Sequence, residues 1–286
     1  MKILVTGGRG MLGSDLQEVV RQAGHECLIT DIDDLDVRQH EVVRKRILDE
    51  RPDVVLHLAA LTNVDDCEKH PAEAYRTNTI GTHNVALACL ESGAALVYIS
   101  TISIFGGAKC EPYTEFDAPA PVSAYADSKY QGELIVRQLL QRFYIVRAGW
   151  MFGGGTEDKK FVAKIIDLAR TRDTLQIVDD KFGSPTYTVD IAGGILSLLE
   201  TGLYGIYHMV NTGGYCSRFE LAQAILDYAG VTTCRLEPVN SASFPLPAPR
   251  PRMEAAINYS LELHGLNWMR PWREALKAYI ARLEDD

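Results

Sequence analysis

Short apolar runs alternate with amphipathic segments through the first half of the chain. Lys2–Thr6 is apolar and runs straight into glycines, which predicts a buried strand. From Met11 to Arg21, Leu12, Leu16, Val19 and Val20 recur at helical spacing, and Gly24 follows as a stop. Further strands are predicted at Cys27–Thr30, Val54–Leu58, Leu96–Ser100 and Phe143–Arg147. Helices are predicted between them over Val42–Asp49, Ala72–Glu91 and Tyr125–Gln141, with Pro52 ending the first and Gly93 just past the second. Strands alternating with helices at these spacings build crossover units. Residues 1–150 are therefore expected to form an α/β, Rossmann-type doubly wound parallel sheet covered on both faces.

After Trp150 the pattern loosens. Helices are predicted over Phe161–Thr171, Val189–Glu200, Phe219–Tyr228 and Trp272–Leu283, and strands at Leu175–Val178 and Tyr207–Val210. Pro238–Pro251 holds five prolines and little periodicity, which predicts a loop over a surface or a ligand. The expectation is a smaller C-terminal substrate-binding lobe built from 151–187 and 211–286, with 188–210 returning to the first domain.

Composition narrows the class. Of 286 residues, 47% are hydrophobic and 23% charged, as in an ordinary globular protein. A formal charge of −9 argues against a general nucleic-acid or anionic-membrane binder. No apolar run approaches the roughly 20 residues that span a bilayer, and the apolar start, Met1–Val5, is too short for a signal peptide. Cys27, Cys67, Cys89, Cys110, Cys216 and Cys234 are scattered, with no Cys-x-x-Cys and no nearby His pair. They read as reduced thiols of a cytoplasmic enzyme, with no metal site.

The first loop carries the first chemistry. Gly7-Gly8-Arg9-Gly10-Met11-Leu12-Gly13 stands between a predicted strand and a predicted helix, with glycines at 7, 10 and 13. A pyrophosphate needs this: a tight turn, close backbone approach, and free helix N–H groups facing its charge. Asp31 lies 18 residues beyond Gly13 and suits the ribose hydroxyls of NAD(H), whereas Arg9 suits a 2′-phosphate. The balance leans slightly to NADH. Asp36 and Val37 would flank the adenine, and Leu58-Ala59-Ala60 lets the cofactor lie against backbone.

Tyr125 and Lys129 are four apart on a predicted helix and share a face. An ammonium beside a phenol lowers its pKa, which would make Tyr125 a proton donor or acceptor for a sugar oxygen. Lys129 could also hold the nicotinamide ribose. Thr101, at the end of a strand, is placed to bind the same oxygen. Tyr-x-x-x-Lys alone also arises as a chance surface pair; the glycine turn and the strand-end threonine favour catalysis.

With these motifs the chain resembles the extended short-chain dehydrogenase/reductase superfamily. More narrowly it resembles the dTDP-4-dehydrorhamnose reductase family, through Arg51–Asp65, Arg147–Gly153 and Val178–Tyr187. The resemblance runs to Leu283. It implies a Rossmann domain with a C-terminal substrate lobe, and reduction of the 4-keto group of a dTDP-6-deoxyhexose by NAD(P)H. It implies Thr101, Tyr125 and Lys129 as the catalytic trio. Gly7, Gly10, Met11, Leu12, Asp36, Val37, Ala59, Ala60, Thr62 and Asn78 are implied at the cofactor, Trp150 beside the sugar, and a homodimer as the assembly. The nucleotide sugar is expected against Trp150 and the Phe182–Tyr187 loop, including Ser184. Arg250 or Arg252 is expected to clamp its diphosphate, unless both are simply solvated.

One segment departs from the family. After the fourth strand it usually reads Ser-Thr-Asp-Tyr-Val-Phe-Asp-Gly; here Ile102 replaces the Asp and Ser103 the Tyr, which reshapes the sugar pocket. An insertion-like Gly154–Lys160 changes another wall. Two other readings follow from the same residues: an NAD-dependent nucleotide-sugar epimerase, or a non-catalytic NADP-binding regulatory subunit of this fold. A 4,6-dehydratase is disfavoured, because Ile102 and Ser103 stand where it needs an Asp-Glu pair.

Overall fold

Ile3 and Val5 point to one face of the first strand and Leu4 to the other, and all three are fully buried. A strand apolar on both faces belongs inside a sheet covered twice. The computed structural model, which describes every residue except 156, 157, 159 and 286, shows that arrangement. The first half runs β1 (Lys2–Thr6), α1 (Met11–Gln22), β2 (Glu26–Thr30), α2 (His40–Glu50), β3 (Val54–His57), α3 (Val64–Lys69), α4 (Pro71–Ala74), α5 (Gly81–Ser92), β4 (Ala95–Thr101), α6 (Ala124–Leu139) and β5 (Phe143–Ala148). The second runs β6 (Trp150–Phe152), α7 (Phe161–Ala169), β7 (Thr174–Val178), β8 (Phe182–Gly183), β9 (Pro185–Tyr187), α8 (Thr188–Thr201), β10 (Gly205–Met209), β11 (Cys216–Ser217), α9 (Arg218–Tyr228), β12 (Arg235–Val239), β13 (Met253–Glu254), α10 (Tyr259–Leu263) and α11 (Trp272–Asp285).

Six strands form one parallel sheet in the order β10-β5-β4-β3-β1-β2. The chain lays β2 on one side of β1, then crosses back to lay β3, β4, β5 and finally β10 on the other. The order therefore reverses between β1 and β3, and a crevice opens at their carboxyl ends. Leu12, Leu16 and Val20 of α1 pack with Ile191, Ile195 and Leu198 of α8 on one face. Val43 and Ile47 of α2, Val85 and Cys89 of α5, and Val136 of α6 cover the other.

The structure revises the single long helix expected over 72–91. The segment is α4, a π-helical turn at Tyr75–Ile80, and α5, with a separate α3 before it. The widened turn carries the fully buried Asn78, whose amide donates to Leu61 O and Ser128 Oγ and accepts the Leu61 N–H. A buried amide satisfied on three sides is what the irregular turn secures.

A second buried cluster forms in the C-terminal half, where Val162 and Ile166 of α7, Leu221 and Ile225 of α9, and Leu276 and Tyr279 of α11 meet. Pro238–Pro251 is not wholly loop: Pro238 lies in β12, which pairs in parallel with β7 in a two-stranded sheet. An edge strand tolerates proline because one row of its N–H groups has no partner. Of the Gly154–Lys160 insertion, Thr156, Glu157 and Lys159 lie outside the described residues.

Candidate active site

The crevice at the sheet's reversal point is a glycine cradle. Gly7 has φ +67°, and a Cβ there would stand 2.6 Å from the Ala59 backbone nitrogen, so only glycine fits. A Cβ on Gly13 would stand 2.4 Å from Gly8 O, so glycine also lets α1 pack onto the turn. Gly10 caps α1 without a side-chain hydrogen bond, which leaves the first-turn N–H groups for an anion. The shape and donors fit a dinucleotide pyrophosphate.

A cleft of about 770 Å³ extends from this cradle. It is bordered by Gly7, Arg9, Gly10, Met11, Leu12, Gly13, Asp31, Asp36, Val37, Leu58, Ala59, Ala60, Thr62, Tyr125 and Lys129. Asn78 stands behind that wall, where it holds Leu61. At the outer end Asp31 accepts the Arg9 N–H at 2.9 Å, and the exposed Arg9 guanidinium reaches Asp33 and Asp34. Arg38 grips Asp36 with two nitrogens and holds its carboxyl down at about 2.

Tyr125 and Lys129 stand on the first turns of α6, whose N-terminus Ser123 caps by accepting the Ala126 N–H. Lys129 is buried, with Nζ 4.1 Å from the Tyr98 ring centroid. Burial pulls its ammonium down to about 7, against the opposing pull of Glu133. Tyr125 corrects the expectation that the lysine acidifies it. Desolvation pushes the phenol up to about 12, and the group that draws it back is the Thr101 hydroxyl. At neutral pH this phenol holds its proton and can give it away. Thr101 ends β4 and accepts the Ser103 N–H at 3.1 Å.

A second cavity, of about 830 Å³, shares Thr62 and Lys160 with the cofactor cleft. Trp150, Arg250, Lys164, Lys181, Arg218 and Glu254 help to line it. Arg218 lies with Cζ 3.4 Å from the Trp150 ring centroid, and burial lowers its guanidinium to about 10. Arg250 pairs with Asp65 at 3.0 Å. Other predicted residues sit elsewhere. Arg252 lies 5.9 Å from the Phe182 ring centroid, and the two border a separate cavity of about 110 Å³. Ser184 is fully buried and bridges the Ala256 N–H and carbonyl. Ser103 donates to Glu254. Arg38, Lys164, Arg218 and Glu254 were not among the predicted residues. Arg38 directly follows the Asp36-Val37 pair assigned to the adenine, which was the signal that could have found it; Lys164, Arg218 and Glu254 lie in segments without a motif.

Fold and cleft together define a dinucleotide-dependent oxidoreductase of the extended short-chain dehydrogenase/reductase type. Residues 1–285 match the model of the RmlD substrate binding domain, and the chain belongs to that family. The dTDP-4-dehydrorhamnose reductase of Mycobacterium tuberculosis is 37% identical over 285 residues, covering 98% of this chain and 92% of that one. The crystal structure of a dTDP-4-dehydrorhamnose reductase from Clostridium acetobutylicum superposes with a TM-score of 0.96 at 39% identity, over 99% of this chain and 100% of that one. That of the Bacillus anthracis dTDP-4-dehydrorhamnose reductase in complex with NADP gives 0.94 at 38%, with the same coverage.

Proposed function

We propose that this protein reduces the 4-keto group of a dTDP-4-keto-6-deoxyhexose with NAD(P)H, as its relatives' names describe. One observation carries the reading. Tyr125 and Lys129 border the same cleft as the glycine cradle, and that cleft adjoins a cavity where Trp150 stands among several cations. An aromatic face suits a sugar, and cations suit a diphosphate.

When bound, NAD(P)H would supply a hydride for the carbonyl carbon. The first-turn amides of α1 would hold its pyrophosphate, and Lys129 its nicotinamide ribose. Thr101 and Tyr125 hydrogen-bond the carbonyl oxygen, and Tyr125 gives its proton to that oxygen as negative charge builds there. Its raised pKa supports this role, because a phenol that stays protonated is ready to donate.

For the cofactor, the lean to NADH gives way to a dual reading. Asp31 is engaged by the Arg9 amide, and two guanidiniums, Arg9 and Arg38, border the same end of the cleft. They suit a 2′-phosphate as well as the aspartate suits a bare ribose. Division into a cofactor domain of 1–150 with 188–210 and a substrate lobe from the remainder is part of the same reading. A homodimer and a cytoplasmic location belong to the same reading, supported by the family resemblance.

The test mixes purified protein with NADPH or NADH and a dTDP-4-keto-6-deoxyhexose. Loss of nicotinamide absorbance matched by formation of the 4-hydroxy sugar is expected. Isomerised sugar without cofactor consumption, or no reaction, would reject the reductase.

A further inference from the structure

Glu254 ends β13 and is only 8% exposed, yet it borders the substrate-side cavity. One carboxylate oxygen accepts from the Ser103 hydroxyl at 2.6 Å and the other from the Trp150 indole N–H at 3.1 Å. Both donors are neutral, and each oxygen keeps a further lone pair. A buried carboxylate that is only partly satisfied is costly, and a donor arriving with the substrate relieves that cost.

Position tells what the donor is. Ser103 also gives its N–H to Thr101 Oγ1 at 3.1 Å, so Glu254 stands two hydrogen bonds from the proposed reaction centre. A carboxylate repels phosphate. Of the cations of the same cavity, Arg218 is held on the ring of Trp150, the residue that bonds Glu254, while Lys164, Lys181 and Arg250 suit the diphosphate and the Glu254 end suits neutral hydroxyls. In a 4-keto-6-deoxyhexose the carbonyl carbon has one neighbour bearing a hydroxyl, C3; the other, C5, bears the methyl group.

We propose that Glu254, braced by Ser103 and Trp150, is a specificity-determining residue. It accepts a hydrogen bond from the C3 hydroxyl of the sugar and so selects 4-keto-6-deoxyhexoses over their 3-deoxy counterparts. The assignment rests on the reductase reading above. It also accounts for serine at position 103, since a short side chain lets the carboxylate reach the end of β4.

The experiment measures kcat and KM with NADPH for a nucleotide-linked 4-keto-6-deoxyhexose and its 3-deoxy analogue, in wild type, Glu254→Ala and Glu254→Gln. Wild type is expected to favour the hydroxylated sugar in kcat/KM by about ten- to a hundredfold, the range of a hydrogen bond to a charged group. In Glu254→Ala that ratio is expected to collapse towards one, mainly through a higher KM for the hydroxylated sugar. Glu254→Gln, which keeps one acceptor oxygen and the shape, is expected to fall between them and decides the matter if the alanine variant does not fold. Equal use of both sugars by wild type, or a preference that survives both substitutions, overturns the role of Glu254 and leaves the reductase reading intact. Folded variants inactive on both sugars also overturn it, because the carboxylate would then serve turnover and not choice. Wild type inactive on both sugars removes the reductase reading, and this assignment with it.

Discussion

The carboxylate of Asp15, on α1, accepts the Gly154 N–H at 2.7 Å, which fastens the helix of the glycine cradle to the segment that follows β6. Thr188 at the start of α8 donates to the same oxygen, and Arg282 of α11 reaches the other at 2.8 Å. Four distant pieces of chain meet on one buried side chain. Asp15→Ala removes the shared acceptor and leaves buried donors unpaired. It is expected to cost about 2–4 kcal/mol, read as a lower urea midpoint with an unchanged slope. An unaltered midpoint would mean that these segments hold together by their apolar contacts alone.

Tyr125→Phe removes the proposed proton donor and little else. Turnover is expected to fall by about 10² to 10⁴, while NADPH affinity, read by cofactor fluorescence, stays near the wild-type value. Full turnover in this variant would move the proton-donating role to another residue.

Lys129 links protonation to stability. An unfolded lysine titrates near 10.5 and the buried one near 7. Between these values the unfolded chain binds the proton and the folded chain does not, so stability rises with pH through that window. Against Lys129→Met, which lacks the group, wild type should gain stability as pH climbs from about 7 to about 10. Melting temperatures of both proteins across that range give the comparison. Parallel curves would place the ammonium in a wetter site than its packing against Tyr98 indicates.

Arg9 reads the cofactor. Its guanidinium is exposed and pairs with the surface carboxylates Asp33 and Asp34, contacts that are weak in water. Arg9→Ala is expected to raise KM for NADPH about three- to tenfold more than KM for NADH. Equal changes for both cofactors would exclude a 2′-phosphate contact at this residue.

The sequence by itself determined the parallel sheet, its covering helices and the place of the cradle. Each crossover unit buries its strand and one helix stripe, and that need is written as local periodicity within about 30 residues. Gly7, Gly10 and Gly13 were legible for the same reason: the turn, the backbone approach and the helix contact all act within a few positions. Tertiary structure alone decided the rest. Ser103 meets Glu254 across 151 residues, and no spacing rule announces such a pair. The π-helical turn carries Asn78, whose amide partners Leu61 and Ser128 come from other segments, and helical periodicity carries no mark of them. The phenol of Tyr125 titrates high and the ammonium of Lys129 low because packing removes water from both, and desolvation depends on neighbours brought in from distant segments.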